Sequence, residues 1–444
     1  MATEHLSPLD LAFWRIESAA HPMHLGALAV FTSGGPGAAE HAAELLAARC
    51  AAVPGLRRRI HDVLLPFGAA AWSSDPGFDP ARHVFLVRTG VLDPHAAAGP
   101  LMARPLDRGL PPWEAHVLAG PDPDSFAVLF KFHHALADGL GALALAATLF
   151  DEGPTLRPPV PPVPGRPPRS TLRRLPEVLA ARVQDVGQAL EIGAAVARAG
   201  LPVGVPAALT TDLTTGPAVP GTRAVAGLAL DLDEVNLIRK SVGGTVNDVL
   251  IALVAGGLRR WLAGRGDPEP RGAGPRALIP VSRRRGPGTS GGAGNRLSGY
   301  LLRLPLAEPD PLRRLSSVRS GMDRNKDAGP ARGAGAVALL ADHVHPLGHR
   351  LGGPLVAQAA RLLFDILVTS VPLPGFTFTL GGSRVREVYP LAPLARGQSL
   401  AVAVSTYKGT VHYGLVADAR AVPDLGALAG ALRAELNALV REVS

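Results

Sequence analysis

The chain has 444 residues, of which 47% are hydrophobic and 18% charged, and it carries a formal net charge of +8. This length exceeds the roughly 250–300 residues that one hydrophobic core usually holds, so two domains are expected, and the apolar content excludes a largely disordered protein. The positive charge favours an anionic partner, but aromatic residues are only 5% and do not alternate with the basic runs, which argues against nucleic acid.

Cys50 is the only cysteine in the sequence, which excludes an intrachain disulfide and a thiol-based zinc or redox site. It lies in an alanine-rich stretch, residues 38–52, that predicts a helix with a buried, inert thiol. The first residues lack the basic and apolar regions of a signal peptide, and no run of about 18 uninterrupted apolar residues occurs. We therefore expect a cytoplasmic protein whose contact with membranes is peripheral.

The elements predicted in the first half lead to a histidine pair. Residues 125–133 form a mostly apolar run of strand length, and residues 140–150 are almost wholly apolar and of helix length, so we predict a buried strand followed by a buried helix. Between them the sequence reads HHALADG, residues 133–139. The two histidines are thus expected where a strand ends and a helix begins.

A proline-rich stretch divides the chain. Eight of the 18 residues from 153 to 170 are proline, which favours an extended connector over a helix or sheet interior. Apolar residues then recur at helical spacing over residues 172–199, which predicts an amphipathic helix that crosses between the halves. We assign a first domain to residues 1–152, a linker with its helix to residues 153–221, and a second domain to residues 222–444.

The second half also mixes helices with strands. We predict a buried helix over residues 247–262, a short strand over 276–280, and a hairpin of residues 400–407 and 410–416 that turns at Lys408-Gly409. A final amphipathic helix begins at Asp424 and repeats leucine at helical spacing. The predicted fold class is therefore α/β in both halves, of the mixed α+β kind.

A histidine at a strand end, with the carboxylate of Asp138 nearby on the same side of the turn, suits proton transfer. Imidazole titrates near neutral pH, so His133 or His134 can remove the proton of an attacking hydroxyl group. Adjacent histidines cannot readily share one metal ion and no further ligand lies at suitable spacing, so we expect no metal site. The alternative is a histidine that only hydrogen-bonds its neighbours.

A competing catalytic motif lacks the right context. Residues 288–292 read GTSGG and satisfy the GxSxG pattern of serine hydrolases. A nucleophile elbow needs a strand before the serine and a helix after it, whereas Ser290 lies in a glycine-rich run. Neither Ser290 nor Cys50 is therefore a credible nucleophile, and we expect no covalent intermediate.

The segment HHALADG matches the HHxxxDG motif of the condensation and CoA-dependent acyltransferase superfamily. The chain resembles one branch of it, the bacterial wax ester synthase/diacylglycerol acyltransferase family, over nearly its whole length. The stretches that carry the resemblance are LSPLD (6–10), HPMHLG (21–26), PLDR (105–108), PPWE (111–114), NDVL (247–250), RALIPVSR (276–283), GN (294–295) with LP (304–305), and VAD (416–418) with VPD (422–424).

The resemblance implies a role for each residue of the motif. His134 would be the general base and His133 would support it, while Asp138 would hold the conformation of the motif and Gly139 would permit close approach of the helix. Asn247, in the NDVL stretch, would stabilise the oxyanion that develops during acyl transfer. From spacing alone, the alternative for Asn247 is an ordinary helix cap.

The resemblance also implies substrate contacts by Trp113, Asp248, Ser370 and Arg283, with arginine clusters meeting CoA phosphates or lipid headgroups. Two segments depart from the family pattern: Pro112 replaces the leucine of a PLW segment, and TSVPLP (369–374) stands where the family shows a pattern like SNVPGP. We expect these departures to affect which acceptor fits, because losing one hydrogen bond in a polar pocket changes specificity.

The implied fold has two domains like chloramphenicol acetyltransferase, with mixed sheets flanked by helices and an interface tunnel that reaches the histidine from both sides. The implied reaction transfers an acyl group from acyl-CoA, as co-substrate, to diacylglycerol or a long-chain alcohol, without a bound cofactor or metal. The expected partners are acyl-CoA, a lipid acceptor, and the inner face of the cell membrane or a lipid droplet. One alternative is a natural-product acyltransferase or condensation-type enzyme, and another is a non-catalytic lipid-binding relative. The sequence predicts no particular oligomeric state.

Overall fold

The computed structural model describes residues 4–64, 68–91, 93–137, 139–151, 222–272, 274–282, 297–328, 364–395 and 397–444. The predicted linker and crossover helix, the GTSGG segment, Asp138 and Arg283 lie outside these residues. What the sequence predicts for them, and the interface tunnel, therefore stay predictions.

The described residues form α-helices and β-strands in an order that mixes the two in both halves. The helices are α1 (Pro8–Ile16), α2 (Ala38–Cys50), α3 (Pro94–Ala103), α4 (Gly139–Ala147), α5 (Leu232–Val242), α6 (Val246–Gly264), α7 (Pro311–Ala328) and α8 (Leu425–Val443). The strands are β1 (Glu4–His5), β2 (His24–Thr32), β3 (Arg58–Asp62), β4 (Ala70–Ser74), β5 (Val84–Arg88), β6 (Trp113–Ala119), β7 (Ser125–His133), β8 (Arg223–Asp231), β9 (Arg276–Ser282), β10 (Leu297–Arg303), β11 (Ile366–Pro372), β12 (Thr379–Leu380), β13 (Ser383–Leu391), β14 (Leu400–Tyr407) and β15 (Thr410–Asp418).

The first large sheet has the strand order β12-β13-β2-β7-β6-β5, in which only β5 and β6 run parallel. Because side chains alternate along a strand, β7 contributes to two cores. Phe126, Val128, Phe130 and Phe132 pack with α2 and α4 on one face. Ala127 and Leu129 face the other way and pack with α3 and with β14 of the second half.

The second large sheet has the order β10-β9-β11-β14-β15-β8, and β11 lies parallel to both of its neighbours. Helices α6, α7 and α8 pack on this sheet around its main hydrophobic core. The Tyr413 hydroxyl of β15 donates to the Leu250 carbonyl of α6 at 3.0 Å, which satisfies a polar group inside that core. Both large sheets are thus mixed and flanked by helices, and the predicted fold class is confirmed.

Several local predictions are confirmed as well. The hairpin turns at Lys408 and Gly409, whose φ angles of 50° and 79° are those of a two-residue turn with both central residues left-handed. The helix predicted from residue 247 spans Val246–Gly264, and that predicted from Asp424 spans Leu425–Val443 with its repeated leucines buried. Cys50 is fully buried at the end of α2, and burial raises the pKa of its thiol to about 11.

Strand β13 links the two large sheets. Although it lies in the second half of the sequence, it pairs with β2 along Arg384–Leu391 and so belongs to the first sheet. Its other side contacts the second sheet: the Ser405 hydroxyl of β14 donates to the Val388 carbonyl at 2.6 Å. Gly414 of β15 packs so closely on Pro390 that a β-carbon would collide with the Pro390 carbonyl. The two halves of the chain therefore share one sheet.

A buried carboxylate connects three helices of the second half. Glu435 of α8 accepts a hydrogen bond from Arg314 of α7 at 2.6 Å and one from Arg260 of α6 at 2.7 Å. The side chains of Glu435 and Arg314 are almost fully shielded from solvent. Because Gly256 of α6 lies against this carboxylate, the helix approaches α8 closely. The network fixes the position of α6, whose first turn contains Asn247.

We expect Glu435→Ala to lower the free energy of unfolding by about 3–5 kcal/mol, because it leaves Arg314 buried without its charged partner. Urea unfolding followed by circular dichroism measures the loss. Glu269→Ala is the control, since it removes the exposed partner of Arg259 and should cost less than about 1 kcal/mol. Equal small losses in both variants would contradict a structural role for the buried network.

Candidate active site

The histidine pair is held by backbone hydrogen bonds to two different strands. His133 is the last residue of β7, and its N–H donates to the Pro112 carbonyl, just before β6, at 2.9 Å. The N–H of His134 donates to the Met23 carbonyl, just before β2, at 2.8 Å. Successive N–H groups of an extended chain point in opposite directions, so β7 can bond to both neighbours. The end of this central strand is therefore fixed from both sides.

The ring of His134 lies against the first helix. It stacks face to face on Phe13 of α1, with ring centroids 3.9 Å apart and planes 11° apart. Only 8% of His134 is exposed. The next residue, Ala135, packs with Leu6, Leu11 and Trp14 in a small apolar cluster. The imidazole of His134 is thus buried against Phe13, next to this cluster.

His133 makes contacts that suit a supporting role. Its Nδ1 accepts a hydrogen bond from the Ala135 N–H at 3.0 Å, so the proton of the neutral ring lies on Nε2. Nε2 is 3.5 Å from a carboxylate oxygen of Glu17, and the ring meets the edge of Trp14 with centroids 5.0 Å apart. His133 is fully buried. It therefore orders the turn that follows His134 instead of facing an open site.

Glu17, at the end of α1, is a site residue that the sequence analysis missed. One carboxylate oxygen accepts from the Met23 N–H at 3.1 Å, and the other lies 3.7 Å from the Arg108 guanidinium. Burial alone would raise the pKa of Glu17, but His133, the Met23 N–H and Arg108 together outweigh it, and the pKa is lowered. Glu17 is thus a buried anion. Residues 21–26 and 105–108 are part of the family resemblance, but nothing in the sequence connects them to residue 17.

Arg108 completes this support from the other side of Trp14. Its guanidinium lies over the Trp14 ring, 3.7 Å from the centroid, and donates to the Trp14 carbonyl at 2.9 Å. A cation on the face of an aromatic ring is stabilised by the ring quadrupole. Arg108 therefore balances the charge of Glu17 and holds the end of α1 in place.

Another buried histidine, His24, lies opposite His133 on β2. Its Nε2–H donates to the Met102 carbonyl at 2.8 Å. Burial, and then the nearby charge of Lys131, lower its pKa to about 3, so the ring stays neutral at physiological pH. Sequence reasoning gave His24 no role, because a single histidine in a strand carries no distinctive pattern.

Charged side chains on the strands next to the histidine pair form ion pairs with one another. The ammonium group of Lys131, which is fully buried, donates to the Arg104 carbonyl at 2.9 Å and to the Glu114 carboxylate at 3.1 Å. The same carboxylate lies 2.9 Å from Nε2 of His116. Burial alone would raise the pKa of Glu114, but His116 and Lys131 outweigh it and lower the pKa to about 2. This network stabilises the strands that position the pair.

Trp113, a predicted substrate contact, is fully buried in the core at the start of β6. Its indole N–H donates to the Leu56 carbonyl at 2.7 Å, and its ring stacks on His83 with centroids 4.8 Å apart. The described contacts of Trp113 are thus with the protein core. They position the strand next to Phe132, immediately before the histidine pair.

The predicted residues of the second half belong to a different sheet and its helix. The N-cap of α6 is Thr245, whose hydroxyl accepts from the Asp248 N–H while the Asp248 carboxylate accepts from the Thr245 N–H at 2.8 Å. Asn247 is half-buried and is not the cap, so capping does not account for it. Ser370 is exposed on β11. Gly139 begins α4, next to the histidine segment.

The described residues contain no group of His, Cys, Asp and Glu side chains arranged to hold a metal ion. In the same part of the chain, no single helix is long and apolar enough to cross a membrane. Helices α5 and α6 meet the length and composition criteria only as a pair that is bent by 103°.

Comparison with family models supports the resemblance seen in the sequence. The wax ester synthase/diacylglycerol acyltransferase catalytic domain matches residues 6–250, and the WS/DGAT C-terminal domain matches residues 293–440. A probable diacylglycerol O-acyltransferase of Mycobacterium tuberculosis is 32% identical over 477 residues, covering 98% of this chain and 96% of the relative. A second one from that organism is 31% identical over 462 residues, covering 99% of each.

Solved structures show the same architecture. The wax ester synthase/diacylglycerol acyltransferase from Marinobacter aquaeolei VT8 is similar with a TM-score of 0.69 at 22% identity, and 99% of each chain is covered. The starter condensation domain of rhizomide synthetase, in complex with C8-CoA, gives a TM-score of 0.58 at 16% identity and covers 100% of this chain and 95% of that one. At these identities the likeness establishes the fold alone.

We expect Glu17→Gln to lower kcat about ten- to a hundredfold while KM changes little, because a histidine displaced from its working geometry slows the chemical step. Steady-state kinetics on the purified variant measures both constants. Glu40→Gln is the control: it removes the exposed partner of Arg88 on α2 and should leave kcat unchanged. A rise in KM at constant kcat would contradict the positioning role.

The free energy of unfolding should decrease as the pH is lowered, and His24 should account for part of this decrease. The native state keeps His24 neutral down to about pH 3, whereas the unfolded chain binds a proton below its ordinary pKa of 6.5. Its contribution is therefore complete above pH 6.5 and declines by up to about 1.4 kcal/mol per pH unit below it.

His24→Asn keeps a hydrogen-bond donor without a titrating group, so the slope of unfolding free energy against pH should become smaller between about pH 6 and 4. Urea unfolding at a series of pH values measures that slope. Parallel slopes for wild type and His24→Asn would show that His24 is protonated in the native state.

Proposed function

We propose that this chain, which belongs to the wax ester synthase/diacylglycerol acyltransferase family, transfers a fatty acyl group from acyl-CoA to diacylglycerol or a long-chain alcohol, with His134 as general base. That the chain is an acyltransferase enzyme follows from its family and from relatives that cover nearly all of it. The acyl donor, the acceptor and the role of each histidine are the proposed part.

The observation that carries the proposal is the buried ring of His134, stacked on Phe13 at the end of β7. An imidazole there can take the proton of the acceptor hydroxyl while its oxygen attacks the thioester carbonyl. The C–S bond of the tetrahedral intermediate then breaks, and His134 returns the proton to the departing thiolate of CoA. His134 therefore ends the cycle in the neutral state in which it began.

Stabilisation of the tetrahedral oxyanion is assigned to the start of α6. Asn247 lies in the first turn of this helix, where free N–H groups and the positive end of the helix dipole favour an anion. Since Thr245 and Asp248 already cap the helix, the amide of Asn247 is available for such a contact. This assignment rests on the family resemblance and on the position of Asn247.

Direct transfer through a ternary complex fits the described residues better than an acyl-enzyme. The thiol of Cys50 is fully buried, and a pKa of about 11 leaves almost none of it as thiolate at neutral pH. The acceptor alcohol is then itself the nucleophile, and both substrates must be bound together. No resident cofactor is needed for this chemistry.

The proposed partners are acyl-CoA and a lipid acceptor. Because such acceptors reside in membranes and the chain carries a formal charge of +8, we assign it to the anionic cytoplasmic face of the cell membrane or a lipid droplet, as a peripheral protein. The family membership favours this reading over a condensation-type enzyme. An activity measurement distinguishes the proposed enzyme from a non-catalytic lipid-binding protein.

His134→Ala should lower turnover about a hundred- to ten-thousandfold, which is the usual contribution of a general base. Purified protein is assayed with labelled palmitoyl-CoA and either diacylglycerol or hexadecanol, and circular dichroism confirms folding. His133→Ala should reduce turnover less, and His41→Ala, at an exposed position on α2, should have no effect. Near-wild-type turnover in a folded His134→Ala variant would contradict the mechanism, and no transfer by the wild type to any acceptor would contradict the function.

A further inference from the structure

One large apolar side chain is almost completely exposed. Leu64 follows β3 in the connection to β4, and 87% of it is accessible to solvent. Among the described residues the other exposed large apolar side chains are Val91 and Leu237, at 45% and 41%. Single exposed apolar residues are common on protein surfaces, so the meaning of Leu64 depends on its position in the fold and on the charges of the same element.

The hairpin that carries Leu64 also forms a wall of the candidate active site. Strands β3 and β4 pair antiparallel, and Ile60 and Ala70 on their inner side pack with Trp14 of α1 and with Ala135, the residue after His134. The Arg15 guanidinium of α1 bonds to the Asp62 carboxylate at 2.8 Å and to the Gly68 carbonyl at 3.0 Å, which fixes the base of the connection. Leu64 thus projects from the element that borders the catalytic histidine.

Positive charge is exposed on β3 and just before it. Arg57 and Arg59 are exposed, and neither forms an ion pair within the part of the chain that the structure describes. Between them, Arg58 pairs with Glu4 at 2.6 Å and packs over the Trp72 ring. Exposed arginines at the start of β3 and an exposed leucine after its end match a lipid surface, which offers anionic headgroups at the level of the arginines and an apolar interior deeper in.

We propose that the β3–β4 hairpin is the surface by which the protein docks on lipid, with Leu64 entering the interface and Arg57 and Arg59 contacting anionic headgroups. The proposal rests on the proposed function, because a lipid acceptor gives the docking its purpose. Docking through this hairpin places the wall beside His134 next to the membrane. A water-insoluble acceptor then reaches the base without crossing bulk water.

Binding to vesicles tests the docking surface directly. Leu64→Asp should weaken co-sedimentation of the full chain with phosphatidylcholine vesicles in which a third of the lipid is phosphatidylglycerol. We expect a loss of about tenfold or more, because a charge replaces the leucine that would enter the lipid. Leu237→Asp, at the exposed leucine of α5, is the matched control and should bind like wild type. Arg59→Gln should weaken binding at low salt and lose that effect at high salt. Equal binding by Leu64→Asp and wild type overturns the proposal.

A fluorescent probe locates the contact. Since Cys50 is buried and its pKa is about 11, Leu64→Cys introduces the one readily labelled thiol. A polarity-sensitive dye at this position should shift its emission to shorter wavelength when vesicles are added, whereas the dye on Leu237→Cys should not. A shift that depends on protein concentration without vesicles would identify a second copy of the chain as the occupant and would overturn lipid docking.

Activity separates this proposal from the proposed function. With diacylglycerol in vesicles, Leu64→Asp should lose most of its turnover, and with a short, water-soluble alcohol it should match wild type. If the wild type transfers acyl groups to no acceptor, the proposed function fails, but the vesicle and probe measurements still decide the docking surface. If Leu64→Asp is equally active on both acceptors, the docking proposal fails while the acyltransferase assignment stands.

Discussion

The candidate site depends on two hydrogen bonds at the end of one strand. The N–H of His133 bonds to β6 through the Pro112 carbonyl, and the N–H of His134 bonds to the segment before β2 through the Met23 carbonyl. Because β7 lies between these two strands, its last residues cannot rotate or slip without breaking both bonds. Any residue at position 112 supplies that carbonyl, so the change from the leucine of the family pattern leaves this support intact.

Helix α1 and its connection to β2 support the site in three ways. Met23 provides the carbonyl that holds His134, Glu17 provides the anion beside His133, and Phe13 just upstream provides the ring on which His134 stacks. A buried anion is costly unless it is compensated, and here His133, a backbone N–H and Arg108 surround it. The charge of Glu17 is therefore part of a closed network that fixes the histidine rings.

The sequence alone predicts those elements whose structure is determined by neighbouring residues. The strand before the histidines, the hairpin at Lys408 and the final helix follow from alternation, turn chemistry and helical spacing, which neighbouring residues determine. Glu17 and His24 could not be found, because their importance comes from contacts with residues about a hundred positions away. The substrate contact predicted for Trp113 stays a prediction, and its described contacts are in the core.

The second half takes part in the site through backbone and charge, although the histidine motif lies wholly in the first. Arg223 of β8 donates to the Ala20 carbonyl at 3.0 Å, inside the connection that carries Glu17 and Met23, and it lies 3.6 Å from Asp418. Strand β13 completes the first sheet next to β2, so the strand that follows Met23 is also held by the second half. Displacing the second half would therefore disturb the support of His134.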